Sequence, residues 1–507
     1  MKTRNLIVVF GVCTALVLAG SAVWGAKGGI PGKPPEDPDD PPPTPIEGYY
    51  FWRLGHMDGP HTSSKALGIS RDGKVAVGST VVVSFDRAWR MDIDWAIATD
   101  DGVPPLYNEL QVQEDIGVIA PPEPSAAFAA SNMIDENGNP IYCSSYDKVN
   151  LVLDWCGSMP VGTYDVGQVS YGIEWMLPLL DRVGEDFVLG TDFWSIPDFG
   201  GGISDMTVYD VSADGLILVG TGHTMTGPVA FRADTSVLDD EGVPVASQLT
   251  ITDQDYTLQT LLNSSAQAVS ADGTIIAGFG GTATGNKAFV TDTTETDWTA
   301  DEPILVSYVL PALDGGKWSE AYALTVTDVG VVIAGRSDSP KGPQACIWFE
   351  GDDPDTPDVE AWVVRGIGGL SKKKYDSVAT SIVYRPGSTA GDLMVVGYSK
   401  SILYPSEAFV WTGNPTLEED GPYTLPDGDT NEYIGYMYDL EKILIKTGAG
   451  EASLMGSSWI LNQATGVALN GYDGDARIVG WGINPEGGVE AWLVTNYPYN
   501  DLEFTHD

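Results

Sequence analysis

The chain has 507 residues, of which 71 are acidic and 26 are basic, giving a net charge of −45. A surface this negative repels nucleic acids and anionic lipids, so both are poor partner classes. The acidic residues are scattered rather than gathered in a tail, which favours solubility in salty surroundings over a dedicated cation-collecting segment.

The first residues have the pattern of an export signal. Two basic residues precede an apolar run from Leu6 to about Val23, and small residues follow it. This pattern predicts a signal peptide over residues 1–26, with an uncleaved anchor as the alternative. Residues 27–47 are rich in Pro and Asp and predict an extended linker. We therefore expect a protein that is secreted or held at the cell surface, without membrane insertion after cleavage.

One pattern recurs from residue 48 to residue 496, the span that we expect to form the repeat domain. Its clearest copy is Ser264–Val290, which has an alternating run, an Asp-Gly pair, an apolar run closing on Gly278, and a strand start at Ala288. Asp-Gly between two such runs predicts a β-hairpin with a two-residue type I′ turn, because that turn needs positive φ.

The closing glycine is followed ten or eleven residues later by an alanine that opens the next strand. The pairs are Gly78 with Ala88, Gly220 with Ala230, Gly278 with Ala288, Gly335 with Ala345, Gly397 with Ala408, and Gly480 with Ala491. A seventh, degenerate copy is predicted at residues 126–144. Units of short strands cannot bury both faces alone, so the series predicts an all-β fold. The specific prediction is a β-propeller with seven blades of about four antiparallel strands, and a linear β-solenoid is the alternative.

Three further features complete the predicted organisation. Tyr436–Lys446 has apolar residues at helical spacing and predicts one short helix in the last long unit. Residues 497–507 are expected to form a C-terminal tail. The sequence leaves open whether Tyr49–Leu54 closes a ring by pairing with the last strand near Trp492.

These motifs resemble the HAF family of bacterial extracellular repeat proteins. The resemblance is carried by the series Ala-x-x-Ile/Val-Ser-x-Asp-Gly, then Val-x-Gly, and by Glu407–Trp411, Glu-Ala-Phe-Val-Trp. It covers roughly Tyr49 to Asn496 and departs from the pattern in the region 117–195. It implies a secreted or surface-associated, propeller-like β-repeat module, and it provides no catalytic residues to carry over.

We predict no catalytic, cofactor-binding or metal-binding residues. His56 and His61 flank Asp58 but lack a third spaced ligand, and His223 and His506 have no partner in the sequence. Calcium is possible outside the cell, but the acidic loops that begin like EF-hands lack the glycine at position 6, so no calcium site can be placed. The recurring acids Asp72, Asp214 and Asp272 fit a turn position rather than a catalytic site.

The cysteines and the recurring aromatic residues carry structural predictions. A disulfide between Cys143 and Cys156 is left open, and Cys346 is predicted to be a buried small hydrophobe. The aromatic residues that follow each loop are predicted to pack between blades: Trp89, Phe231, Phe289, Trp348, Trp411 and Trp492.

Two functions remain at this point. The first is a non-enzymatic, exported scaffold that binds an extracellular protein or polysaccharide. The alternative is a carbohydrate-binding or polysaccharide-active protein that uses a long loop cluster at residues 146–204, with Trp155, Trp175 and Trp194. Ligands are expected to bind the variable stretches rather than the repeat frame. These stretches are residues 92–125, 146–204, 234–260, 292–308, 350–362 and 413–456. The oligomeric state is left open.

Overall fold

The structure is a computed structural model of the chain, and it describes part of the sequence. The described residues are 48–55, 61–82, 85–93, 114–115, 125–130, 160–166, 169–175, 182–183, 186–187, 193–195, 204–224, 227–238, 244–249, 251, 261–282, 285–297, 304–328, 330–352, 360–371, 374–385, 393–413, 423–424, 430–431, 435–446, 459–469 and 476–497. The predicted signal peptide and linker lie outside these ranges, as do Cys143 and Cys156. The chain divides into a unit of residues 1–45, in which nothing is described, and a unit of residues 46–507.

Almost all regular structure in the described residues is β-strand. Five sheets have four antiparallel strands each. Sheet B contains β6 (Ser125–Ala130), β7 (Pro160–Val166), β8 (Val169–Trp175) and β11 (Phe193–Ser195). Sheet C contains β12 (Ser204–Val211), β13 (Ile217–Thr224), β14 (Gly227–Leu238) and β15 (Pro244–Gln248), and sheet D contains β16 (Leu262–Val269), β17 (Ile275–Thr282), β18 (Gly285–Asp297) and β19 (Ile304–Val309).

The remaining two four-stranded sheets follow in chain order. Sheet E contains β20 (Ser319–Thr327), β21 (Gly330–Ser337), β22 (Gln344–Asp352) and β23 (Glu360–Gly368). Sheet F contains β24 (Ser377–Tyr384), β25 (Leu393–Ser399), β26 (Glu407–Gly413) and β29 (Gly435–Asp439). Two small ribbons pair β9 (Arg182–Val183) with β10 (Asp186–Phe187), and β27 (Tyr423–Thr424) with β28 (Thr430–Asn431).

An eight-stranded sheet, sheet A, brings the two ends of the described chain together. Its first half, A1, contains β2 (His61–Ile69), β3 (Val75–Val82), β4 (Phe85–Asp92) and β5 (Glu114–Asp115). Its second half, A2, contains β30 (Ile460–Leu469), β31 (Ala476–Ile483), β32 (Val489–Tyr497) and, antiparallel to β32, β1 (Gly48–Gly55). The halves meet in one parallel pairing of Ser63 with Val489.

The closing glycine of the repeat has a steric cause. Gly278 lies opposite Ala266 on β16 and opposite Phe289 on β18. A Cβ atom on Gly278 would lie 2.0 Å from the carbonyl oxygen of Ser265 and 3.0 Å from the ring of Phe289. Only glycine fits there, because real Cβ atoms do not approach backbone oxygen so closely.

A β-bulge lies one residue after the position opposite the closing glycine. The same register shift occurs in the first strand of all seven four-stranded groups, between Ala66 and Gly68, Ala127 and Ala129, Val208 and Asp210, Ala266 and Ala268, Ala321 and Ala323, Ala379 and Ser381, and Ala464 and Gly466. A bulge that recurs at the same position in each group is a regular structural feature of the repeat.

The structure corrects three predictions about the repeat. The Asp-Gly turn is not type I′, because among the described turn residues only the glycine has positive φ, 76° at Gly273. Gly273 N–H instead donates to the carbonyl of Ser270 three residues earlier, which indicates a type I turn followed by a left-handed glycine. In sheet B the second strand is not the predicted one near residue 141, which lies outside the described residues. It is β7, where Gly162 lies opposite Ala127 and Ile173.

The third correction concerns the aromatic positions. Gly335 lies opposite Cys346, and Gly397 lies opposite Phe409. Trp348 and Trp411 are therefore two residues beyond the position that Phe289 occupies in sheet D. Both are fully buried, as is Cys346, so the predicted burial of these side chains is confirmed.

The helix prediction is half right. Helix α1 spans Leu440–Lys446, whereas Tyr436–Asp439 belong to strand β29. The Asp439 carboxylate accepts a hydrogen bond from the Lys442 N–H at 3.2 Å, which caps the helix N-terminus and explains the boundary. No helix among the described residues has the length and apolar character needed to cross a bilayer.

The hydrophobic core is divided among the junctions between neighbouring groups of strands. One cluster combines Leu218 and Phe231 of sheet C with Ala129 of sheet B. Others join C to D, D to E, E to F, and F to A2 together with α1. Side chains of β1 and β32 pack with those of A1 in a further cluster.

Candidate interaction surface

Each four-stranded group has two ends that differ in character. At the turn end, the first strand ends and the second begins. At the loop end, the second strand ends, the third begins, and the chain enters the next group. Hydrogen bonds join like ends of neighbouring sheets, such as Ala213 N–H to the Ala271 carbonyl at the turn ends of C and D, 2.9 Å.

The predicted acids at the turn end serve the turns. The Asp272 carboxylate accepts hydrogen bonds from the Ser270 hydroxyl and from the Thr274 N–H and hydroxyl. Burial raises the pKa of Asp272, but these hydrogen bonds outweigh it and hold the pKa below its usual value. Asp72 and Asp214 accept the equivalent serine hydrogen bonds. The structure therefore gives these carboxylates a structural role.

The predicted histidines form no described site. His223 is exposed on β13, His56 and His506 lie outside the described residues, and of His61 only the strand position is described. No group of three metal-ligating side chains suited to a metal ion occurs in the described part of the chain.

The aromatic residues of the alternative function are placed in strands. Trp175 ends β8, and Trp194 lies opposite Glu174 in β11, the fourth strand of sheet B. The stretch 146–204 therefore contains three strands of sheet B rather than one loop cluster, and Trp155 lies outside the described residues. The predicted variable stretches likewise contain fourth strands, for example β15, β19 and β23.

The loop end of sheet E holds a closed polar and aromatic cluster. The Glu320 carboxylate accepts hydrogen bonds from Arg336 at 2.7 Å, from the Tyr322 hydroxyl at 2.5 Å and from the Asn286 amide at 2.6 Å. The Arg336 guanidinium also lies 5.2 Å from the Trp318 ring centre. Each hydrogen-bond partner of Glu320 lies at the loop end. Tyr322 is near the start of β20, Asn286 is at the start of β18, and Arg336 is at the end of β21.

The charge state of this cluster follows from its contacts. Burial raises the pKa of Glu320, but the hydrogen bonds from Tyr322 and Asn286 and the charge of Arg336 outweigh it, so the pKa is lowered. Burial raises the pKa of Tyr322. Glu320 is therefore ionised and paired, and Tyr322 is neutral, an arrangement that fixes the strand ends and leaves this carboxylate poorly suited as a base.

Around this cluster, loops from two sheets form one continuous surface. Asp338 N–H donates to the Trp318 carbonyl at 3.0 Å, Tyr375 N–H to the Lys341 carbonyl at 2.9 Å, and Lys400 N–H to the Asp376 carbonyl at 2.8 Å. These bonds tie together the loops at residues 310–318, 338–343, 374–376 and 400–406. Loops held by mutual hydrogen bonds are pre-organised for binding.

We call this the lysine-bearing loop surface, because an exposed lysine projects from each of the four loops. They are Lys317, Lys341, Lys374 and Lys400. Beside them lies an apolar tip in which Ile402 is 92% exposed and Leu403 is 80% exposed. Exposed apolar side chains on an ordered loop mark a binding surface. No motif in the sequence pointed to this surface, since its residues come from four separate loops.

A group of carboxylates borders the apolar tip. Glu407 is 6% exposed, and its Oε2 atom is buried without a hydrogen-bond partner. Burial, with the charges of Asp439 and Glu407, raises the pKa of Glu441 to about 7. The Lys442 ammonium pairs with Asp439 at 2.6 Å. These charged groups lie where α1 begins.

Comparisons with known proteins give little support for an assignment. No protein-family model matches the chain, and the search of curated proteins gives no match. Among solved structures, the chain is similar to TolB from Acinetobacter baumannii, with 13% sequence identity and a TM-score of 0.29. The match covers 57% of this chain and 51% of the TolB chain, about half of its length. A likeness at this level carries no argument about fold or function.

Proposed function

We propose that the protein is an exported, non-enzymatic β-propeller of seven blades that acts as an extracellular interaction scaffold. The five four-stranded sheets and the two halves of sheet A are the blades in this proposal. The export part depends on the signal-peptide pattern of residues 1–26, and the HAF-like repeat pattern is consistent with it.

Recurring hydrogen bonds between groups support the ring. In each case a serine hydroxyl on one first strand accepts the N–H of an alanine near the start of the third strand of the preceding group. The pairs are Ser264 with Ala230, Ser319 with Ala288, Ser377 with Ala345, and Ser64 with Ala491. The last pair joins A1 to A2, so it joins the two ends of the described chain in the way that consecutive sheets are joined.

A threonine bond repeats in the same manner. The hydroxyl of the bulge residue Thr380 donates to the Ala464 carbonyl at 2.7 Å, from sheet F to A2. The hydroxyl of Thr465 donates to the Ala66 carbonyl at 2.9 Å, from A2 to A1. Equal contacts at successive junctions favour a closed ring over a linear solenoid, whose two end units would not meet.

The scaffold function is carried by one observation, the apolar tip of Ile402 and Leu403 among exposed lysines on fixed loops. Soluble proteins rarely leave neighbouring large apolar side chains this exposed without a partner. The buried tryptophans favour this function over a carbohydrate platform, because Trp52, Trp89, Trp348, Trp411 and Trp492 are among the largest fully buried side chains.

The test combines localisation, binding and cleavage. Cell fractionation should place the protein outside the cytoplasm. The purified protein is then incubated with a panel of extracellular polysaccharides and surface proteins, with and without calcium, and the glycans are analysed for new reducing ends. We expect binding to at least one member of the panel, no cleavage, and loss of binding in Ile402→Glu/Leu403→Glu but not in Leu262→Glu, a change at another exposed apolar residue. New reducing ends released by the wild-type protein would replace the scaffold with an enzyme.

A further inference from the structure

Exposed apolar side chains lie at both ends of the sheets. At the loop end they are the tip residues Ile402 and Leu403 and, at the start of β16, Leu262. At the turn end, Leu216 of sheet C is 40% exposed, Val237 of sheet C 50%, and Val326 of sheet E 51%. The fold therefore presents two separate apolar surfaces that face away from each other along the strand direction.

The turn end of sheets C, D and E is acidic around its apolar residues. The carboxylates there are Asp214, Asp234, Asp272, Asp292, Asp328 and Glu350. The basic residues that reach this end, Arg232 and Arg71 from A1, are each paired with an aspartate, at 3.3 Å to Asp234 and 2.9 Å to Asp210. We call Leu216, Val237, Val326 and these carboxylates the acidic turn surface.

The four loops of the lysine-bearing loop surface are less acidic than the chain as a whole. They hold four exposed lysines and three aspartates, Asp314, Asp338 and Asp376, and further carboxylates border the apolar tip, whereas the whole chain has 26 basic against 71 acidic residues. The lysines thus concentrate where an apolar tip is exposed.

We propose that the lysine-bearing loop surface of one copy docks on the acidic turn surface of a second copy. Lysines then meet carboxylates, and Ile402 and Leu403 meet Leu216 and Val326. An apolar centre with a charged rim is the usual anatomy of a protein interface. A polysaccharide would leave the apolar tip uncovered.

The geometry of this contact determines what it builds. Because the two surfaces are different and lie at opposite ends of the strands, the contact is head to tail. Each copy then keeps one free surface of each kind in a growing chain. Both surfaces are fixed before contact, the turns by their serine and aspartate hydrogen bonds and the loops by their mutual backbone bonds, so little ordering is lost on docking. This inference rests on the proposed function, because it makes a second copy of the chain a partner of the tip formed by Ile402 and Leu403.

Sedimentation velocity and light scattering of the purified protein over a concentration series test the proposal. We expect the weight-average mass to rise with concentration beyond twice the 54.0 kDa of one chain. Ile402→Glu/Leu403→Glu should remain monomeric, and so should Leu216→Lys/Val326→Lys. The controls Leu262→Glu and Leu262→Lys introduce the same residue types at a residue that is 65% exposed and outside both surfaces, and they should assemble like wild type.

Mixing the two double variants gives the decisive result. One variant retains an intact acidic turn surface and the other an intact lysine-bearing loop surface, so the mixture should form dimers and stop there. Growth beyond dimers, or no pairing at all, would overturn the head-to-tail contact. A wild-type protein that stays monomeric throughout would overturn it too, and separate binding of that monomer to glycan or to anionic vesicles would assign the lysine-bearing loop surface to that partner instead. None of these outcomes depends on whether the protein is exported.

Discussion

Strand β1 and strand β23 come from distant parts of the chain, yet they make the same contacts. β23 is the fourth strand of sheet E and follows β22 in the sequence, whereas β1 pairs with β32 from the other end of the described chain. In both, the register shifts just before a final glycine, which then lies opposite the opening alanine, Gly368 with Ala345 and Gly55 with Ala491. Both glycines have positive φ, 87° and 63°.

One serine then bridges each pair to the next group. The Ser377 hydroxyl donates to the Gly368 carbonyl at 2.6 Å and accepts Ala345 N–H at 2.9 Å. The Ser64 hydroxyl donates to the Gly55 carbonyl at 2.6 Å and accepts Ala491 N–H at 3.0 Å. The two ends of the described chain are therefore joined by the same contacts that join neighbouring groups within the chain. We expect the two kinds of junction to contribute equally to the free energy of unfolding.

The strongest test of this equality removes a large buried side chain from each strand pair. Trp52 of β1 is 1% exposed and donates from Nε1 to the Thr495 hydroxyl at 3.0 Å, and Trp348 of β22 is fully buried with a bond to the Pro311 carbonyl. Trp52→Ala and Trp348→Ala should each lower the free energy of unfolding by about 3–5 kcal/mol. Urea denaturation measures both. A loss below about 1 kcal/mol for Trp52→Ala alone would mean that β1 is not part of the core.

The bridging serines give the next largest effect. Ser64→Ala and Ser377→Ala each leave a buried alanine N–H without its acceptor, so each should cost about 1–3 kcal/mol. Ser247→Ala, at an exposed serine on β15, is the control and should change stability by less than about 0.5 kcal/mol. Unequal losses for Ser64 and Ser377 would show that the two junctions differ.

The junction of sheet F with A2 differs from the four serine-bridged junctions, because Asn462 stands two residues before Ala464, where those junctions have the bridging serine. Helix α1, which contains Glu441, packs at this junction. The folded pKa of Glu441, about 7, lies above its ordinary value of 4.5, so the folded protein binds more protons between these values. The contribution of Glu441 to the free energy of unfolding is fully present below pH 4.5 and is lost as the pH rises through 7. Because solvent screens this partly exposed group, the loss should be about 1 kcal/mol.

Denaturation at pH 5 and pH 8 measures that loss, with Glu441→Gln as the control. The variant should show a smaller fall in stability between the two pH values. A variant as pH-sensitive as wild type would assign the effect to other carboxyl groups.

The smallest expected loss of stability is in the turns. Asp72→Ala, Asp214→Ala and Asp272→Ala each remove the acceptor of a serine hydrogen bond in a partly exposed turn. Each should cost about 0.5–1 kcal/mol. Thermal unfolding of the three variants should give similar shifts. A much larger loss at Asp72 would mark the A1 turn as special.

The recurring part of the fold could be predicted from the sequence because each recurring residue has a local steric or hydrogen-bonding cause. Gly278 and its equivalents mark the bulge, and Asp272 marks the turn. The second strand of sheet B could not be placed, since Gly162 comes after an insertion that breaks the spacing rule. In sheet E, Cys346 lies opposite the closing glycine, where sheet D has Phe289. The aromatic pattern therefore does not mark this position in sheet E.

The candidate site was missed for a different physical reason. Lys317, Lys341 and Lys374 lie in separate loops with no common motif, and only backbone hydrogen bonds between those loops bring them together. A surface assembled from nonrecurring loops leaves no periodic signal. The boundary inside Tyr436–Lys446 was missed because β29 pairs with β26, a contact between segments separated in sequence.

Native-state hydrogen exchange tests the equivalence of the chain-end junction most directly. If β1 completes the last group as β23 completes sheet E, the amides of residues 49–54 that bond to β32 should open with free energies like those of the β22–β23 pair, close to global unfolding. Fast exchange of the β1 amides, with protection retained in β22 and β23, would contradict the equivalence and leave the two ends of the chain unjoined.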